Sequence, residues 1–160
     1  MADTQRIAQV VIPETLALLG QPRLDTPAAR AMLLAIGLQE SRFEHRVQIG
    51  GPAHGYWQFE EGGGVKGVLR HEATKGPIRA VLAARGVADT TRAAYDAIVS
   101  DDVLACAFAR LLLWTLPGAL PARGDPEGGW RQYVDAWRPG KPHRQTWDAL
   151  YAQAWGLVAG

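Results

Sequence analysis

Two stretches of this sequence limit what the rest can do. Ala28, Ala31, Met32, Ala35, Ile36 and Leu38 form a broad apolar stripe at helical spacing, and Val103 to Trp114 is the most apolar segment of the chain. A helix that is apolar around most of its circumference has to be surrounded by other elements. Neither stretch approaches the roughly 20 apolar residues needed to cross a bilayer. The chain must therefore wrap shorter helices around one or two buried ones. With 160 residues, 48% of them apolar, it has enough material for one core.

The remaining punctuation agrees. Thr26-Pro27 is a helix start, a capping hydroxyl followed by proline at the first helical position, and that helix should run to about Glu40 or Ser41. Residues 5–19 carry a helical stripe that Pro13 must bend or divide, and Gly20-Gln21-Pro22 stops it. Further helices are predicted near 65–71, 77–86, 90–99 and 103–114, the last capped by Ser100 or Asp101. Asp125-Pro126 begins one to Trp137, and Thr146 caps a final one to about Val158. Residues 45–62 have no helical period and contain Gly50-Gly51-Pro52 and the short aromatic run Tyr56-Trp57-Gln58-Phe59. This reads as a small irregular β-like region inside a mainly α, helical-bundle protein. Glu60 to Gly64 reads as a loop. No repeat or linker divides the chain, so residues 1–160 form one domain.

Composition removes whole classes. A net charge of +1 gives no broad footprint for nucleic acid or anionic lipid. Cys106 is the only cysteine, which excludes an intrachain disulfide and any multi-thiolate metal site. Neither Ser41 nor Ser100 lies in a G-x-S-x-G elbow. His71-Glu72 starts like a zinc-binding H-E-x-x-H, but Lys75 stands where the second histidine should be, and His45, His54 and His143 are scattered. No metal site and no cofactor is expected. The glycines at 62–64 match neither a P-loop nor a dinucleotide fingerprint. Trp147, Tyr151 and Trp155 recur every four residues, and Trp130, Tyr133 and Trp137 follow a similar rule. That spacing is expected of helices burying an aromatic face. Arg131, Arg138, Lys141 and Arg144 read as a solvated basic turn. The first 20 residues lack the pattern of a secretory signal, since Asp3 precedes any cationic region and Pro13-Glu14 interrupts the apolar stretch.

One segment points to chemistry. Glu40 ends an apolar helical stripe, where a half-buried carboxylate is costly unless paired or neutralised. The negative end of the helix dipole and desolvation by Phe43, Trp57 and Phe59 should both raise its pKa. A carboxyl that keeps its proton near neutral pH can protonate a leaving oxygen. The competing structural role is a salt bridge to Arg42 or Arg46.

Glu40-Ser41-Arg42-Phe43, followed by Gly55-Tyr56-Trp57-Gln58-Phe59, resembles the paired E-S-x-F and G-L-M-Q-I motifs of soluble lytic transglycosylases and goose-type lysozymes, most strongly their phage-borne members. The matched part covers roughly residues 30 to 62. The resemblance implies an α+β lysozyme-like fold and cleavage of the β-1,4 bond between N-acetylmuramic acid and N-acetylglucosamine in peptidoglycan. By position Glu40 matches the catalytic glutamate, Ser41 supplies a hydroxyl for backbone or sugar, and Gln58 matches the cleft glutamine. Tyr56-Trp57 replaces Leu-Met, which would make the groove floor more aromatic. The family's later A-Y-N-A-G motif has no clear counterpart and the chain has no asparagine. Tyr133 or Trp137 stands nearest, with Tyr133 favoured for a hydroxyl near Glu40.

Two mechanisms follow from that likeness. A lytic transglycosylase works with one carboxyl and closes a 1,6-anhydro ring, whereas a hydrolase ordinarily needs two. If residues 56–60 are extended, Tyr56, Gln58 and Glu60 share one face and Trp57 and Phe59 the other. Glu60 could then position a water for inverting hydrolysis, as an acid two residues after the glutamine does in goose-type lysozymes; as a structural residue it is a solvated loop carboxylate. The transglycosylase reading is preferred. A non-catalytic virion or glycan-binding protein is the reading from another class. The expected partner is the peptidoglycan strand, met by a monomer without nucleic acid or membrane insertion. Without a signal peptide, such a protein would be made in the host bacterial cytoplasm. It would reach the periplasmic wall as an endolysin helped by a holin, or within a virion assembly.

Overall fold

The computed structural model describes residues 3–159. It begins with α1 (Thr4–Arg6), a wide π turn (Ile7–Val11) and α2 (Ile12–Leu19). Pro13 lacks an N–H and stands at the second position of α2. The expected division therefore takes the form of a change in hydrogen-bond spacing, while the backbone at Val11 and Ile12 keeps helical angles. Gly20, left-handed at φ 69°, closes this stretch.

At Thr26 the hydroxyl accepts the Ala29 N–H at 3.1 Å, and Pro27 opens α3 (Pro27–Ser41). Ala31 to Ile36 are at most 1% exposed, so α3 is buried on every side, as its composition requires. The outer helices are α4 (Lys66–Arg70), α5 (Lys75–Ala84) and α6 (Thr91–Ala97). Next comes the second buried helix, α7 (Asp102–Trp114), capped by Asp101, whose carboxylate accepts the Leu104 N–H at 3.0 Å. Asp125 caps α8 (Pro126–Trp137) in the same way through Gly128, and α9 (Arg144–Ala159) completes the chain. α9 lies along α3, α8 packs on α9, and α7 lies against α2 and α5.

The molecule is mainly helical. The small irregular β-like region expected at 45–62 amounts, among the described residues, to two isolated antiparallel bridges, Val47 with His54 and His54 with Phe59, with no sheet. Left-handed residues at Gly50, Gly55 and Gln58 turn the chain too often for strands to extend. The loop expected at 60–64 is instead a π turn (Glu61–Val65) interrupted at Gly63. The last helix starts two residues before Thr146. That hydroxyl donates at 2.9 Å to the Gln39 side chain of α3 and does not act as a cap.

Candidate active site

The end of α3 is shaped by a close approach. Phe43 folds back against Gly37, where an added Cβ would lie 2.2 Å from the ring carbon Cζ. The fold-back uses two consecutive left-handed residues, Arg42 (φ 59°) and Phe43 (φ 54°). Ser41 fastens it: its hydroxyl donates to the Tyr56 carbonyl at 2.7 Å and accepts the Phe43 N–H at 3.1 Å. Trp57 is buried against Phe43, and its indole N–H donates to the Leu33 carbonyl at 2.8 Å. The two sequence motifs are thereby joined edge to edge, and Glu40 is left at the rim of the core.

Glu40 faces an open cleft of about 560 Å³ whose walls also carry Gln58, Glu60, Tyr133 and Trp137. Burial pushes its carboxyl up to about 7, against a smaller lowering by the Tyr133 hydroxyl, which donates to it. Neither Arg42 nor Arg46 pairs with Glu40. Arg46 is bound to Asp102 at 2.8 Å, in a cluster with Asp3 and Arg6.

Tyr133 is held from behind. Its ring stacks on Trp147 at 5.3 Å and 7°, and touches Trp130 and Trp137. Gly129 lets α8 approach α9 closely, since a Cβ there would meet Tyr151 at 2.7 Å. Trp137 then donates its indole N–H to the Trp57 carbonyl at 2.9 Å, tying the aromatic wall to the 55–59 turn. The four-residue aromatic spacing thus does bury a face, with Trp147, Tyr151 and Tyr133 at most 2% exposed. Burial and the adjacent Glu40 push the Tyr133 hydroxyl well above the usual phenol range, so it remains a donor at physiological pH.

The predicted site residues divide into two groups. Glu40, Gln58, Glu60 and Tyr133 all reach the cleft. Ser41 and Tyr56 do not: the cleft position expected of Tyr56 and the sugar contact expected of Ser41 are corrected, while the backbone bond that was the other expectation for Ser41 is formed. Ser41 is 2% exposed with its hydroxyl committed to backbone, out of reach of a sugar. Tyr56 points away from the cleft, with its hydroxyl on Asp3 at 3.2 Å and its ring under the Arg46 guanidinium. The extended alternation over 56–60 fails because Gln58 adopts φ 56°, which turns the chain and lets Tyr56, Trp57 and Phe59 all be buried.

His45, His143, Gln39, Arg138 and Lys141 line the same cleft. The signal for the last two was the break Arg138-Pro139-Gly140-Lys141-Pro142, read from sequence as a solvated turn. Arg144 does behave that way, paired with Glu127 and Asp148 at 2.8 and 2.7 Å. Among the described residues no group of three or more His, Cys, Asp or Glu is placed to hold a metal ion, and no helix is long and apolar enough to cross a membrane.

The arrangement is a proton store. It has one desolvated carboxyl, one phenol that steadies its anion, and an open groove beside both. Removing the phenol has a definite sign. Tyr133→Phe deletes a donor that favours the ionised carboxyl, so the pH at which Glu40 titrates, followed by carboxyl NMR, should move upward. An unmoved titration would mean that the hydrogen bond does not govern Glu40. No family model matches the chain, and neither a curated protein nor a solved structure matches it.

Proposed function

We propose that this protein is a peptidoglycan-degrading muramidase of lysozyme-like fold that cleaves the β-1,4 bond between N-acetylmuramic acid and N-acetylglucosamine. The observation that carries the reading is Glu40, a carboxyl raised to about 7 by burial at the wall of an open cleft. A carboxyl raised this far can exchange its proton close to neutral pH, which suits a group that must both give and take a proton in one cycle. Support also comes from the resemblance of residues 40–43 and 55–59 to the paired motifs of lytic transglycosylases.

In the preferred mechanism the Glu40 carboxyl protonates the leaving glycosidic oxygen as the C1–O bond breaks. The carboxylate so formed is steadied by the Tyr133 hydroxyl. It then removes the proton from the 6-hydroxyl of the muramic acid, whose oxygen closes on C1 to give a 1,6-anhydro ring. Glu40 ends as it began, and no water is consumed. Gln58 is fixed on the cleft wall by its own Nε2, which donates to the Gly55 carbonyl at 2.8 Å.

A second reading rests on Glu60, which is exposed and lines the same cleft. It could position a water for inverting hydrolysis. Mass spectrometry of products released from purified sacculi separates the two. The transglycosylase gives muropeptides one water lighter than the hydrolase does, and Glu60→Gln then leaves the rate within about threefold of wild type. A hydrolase gives the heavier product and loses on the order of a hundredfold or more in the same variant. Delivery to the periplasmic wall by a holin or a virion assembly belongs to this proposal.

A further inference from the structure

A second cavity, of about 550 Å³, shares no lining residue with the Glu40 cleft. It lies between the start of α3, the end of α7 and the loop after α7, and Arg110 forms part of its wall. Arg110 is only 2% exposed, although a buried guanidinium is costly unless its donors are met. Its Nε donates to the Leu24 carbonyl at 2.8 Å, but Nη1 is buried with no hydrogen-bond partner. Asp25 acts on it through space, yet both carboxylate oxygens of Asp25 are given to Arg30, at 2.8 and 3.0 Å. Burial draws Arg110 down to about 10, so it is still a cation at neutral pH.

Other features of the cavity share that sign. Arg23 lies over the same Trp114 ring as Arg110, at 5.1 and 5.7 Å from its centre. The start of α3 presents Thr26 and Ala28 to the cavity. Thr26 satisfies the N–H groups of Ala29 and Arg30, and Pro27 has none. The Ala28 N–H is left without a partner among the described residues, at the positive end of a 15-residue helix. Leu113, Leu116 and Leu120 supply an apolar wall, and the volume exceeds what a bare oxyanion fills.

We propose that this cavity binds an organic anion, a carboxylate or phosphate on an apolar body, with the oxyanion held by Arg110, Arg23 and the α3 N-terminus. The Arg110 guanidinium, which has a single hydrogen bond among the described residues although it is almost fully buried in the cavity wall, and the Ala28 N–H then gain an acceptor, and the leucine wall takes the apolar tail. This inference is independent of the peptidoglycan reading.

The test is titration of the full chain with hexanoate, hexyl phosphate, hexanol and inorganic phosphate, followed by calorimetry and amide NMR up to about 10 mM. At least one organic anion should bind saturably and at least tenfold more tightly than hexanol, and the preferred anion names the source. The Ala28 amide and Trp114 indole signals should move while the Trp137 indole stays. Arg110→Met should weaken binding on the order of 10- to 100-fold. Should that variant not fold, Arg23→Glu at the exposed position provides the same test, with at least a tenfold loss. Absence of saturable anion binding, equal binding of hexanol, shifts centred on Trp137, or undiminished affinity in the folded variants would each overturn the proposal.

Discussion

Replacing Glu40 by glutamine should lower the rate of cell-wall cleavage by about 10²- to 10⁴-fold while making the protein more stable at alkaline pH. The first effect follows from the proposed role, since an amide can neither release nor recover the proton. The second follows from burial. The folded carboxyl titrates near 7 against an ordinary value of 4.5, so the folded state binds the extra proton. Stability therefore falls as pH rises from about 4.5 through 7 and stays reduced above that. Glutamine carries no such penalty, and its side-chain oxygen can still accept the Tyr133 hydroxyl. On the order of 2 kcal/mol should be recovered at pH 8, allowing for the solvent that reaches the rim. In a chain of this size that is a rise of about 4–8 °C in Tm, and at pH 4 the two proteins should melt together. Equal Tm at pH 8, or undiminished lysis, would remove Glu40 from its central place.

The second large effect concerns a residue with no side chain. Gly37→Val should cost about 3 kcal/mol or more, a fall of roughly 6–12 °C in Tm, and activity should drop with it. A Cβ at this position would sit 2.2 Å from Phe43 Cζ and 3.2 Å from Trp57 Nε1, both in buried rings that cannot swing aside into solvent. Phe43 would be pushed out of its left-handed fold-back, and with it the Ser41 hydrogen bonds that join α3 to the 55–59 turn. Glycine in the middle of a helix ordinarily destabilises it by 0.5–1 kcal/mol relative to alanine. Its presence in α3 is explained by ring packing that no larger residue permits. A Gly37→Val protein melting within a degree of wild type would show that the turn repacks freely.

The legibility of this chain varied with the range of the interaction. Thr26-Pro27, Asp101 and Asp125 act within three residues, so their caps could be read directly and appear as expected. Buried helices α3 and α7 announce themselves because burial on all sides leaves few polar positions. The failures come from distant partners. Thr146 resembles a cap, but its hydroxyl is drawn across 107 positions to Gln39. Residues 56–60 have the composition of a strand, yet one left-handed residue, Gln58, redirects them, and nothing nearby in sequence signals it. Ser41 sits beside the acid and reads as a site residue, but long-range contact with the Tyr56 carbonyl makes it a fastener. Glu40 itself was legible because an acid on an apolar stripe is a local contradiction. The Tyr133 hydroxyl, 93 positions away, was proposed only through the family likeness.

Trp137 gives the protein a built-in optical gauge. Its indole spans both environments, lining the groove while bonded to the Trp57 carbonyl and resting edge-on to Phe59. Any ligand entering that groove, the proposed glycan strand included, must displace water from the ring, and indole emission shifts when its polar surroundings change. Occupancy of the groove can therefore be followed by fluorescence without a dye, with a Trp137→Phe protein as the blank.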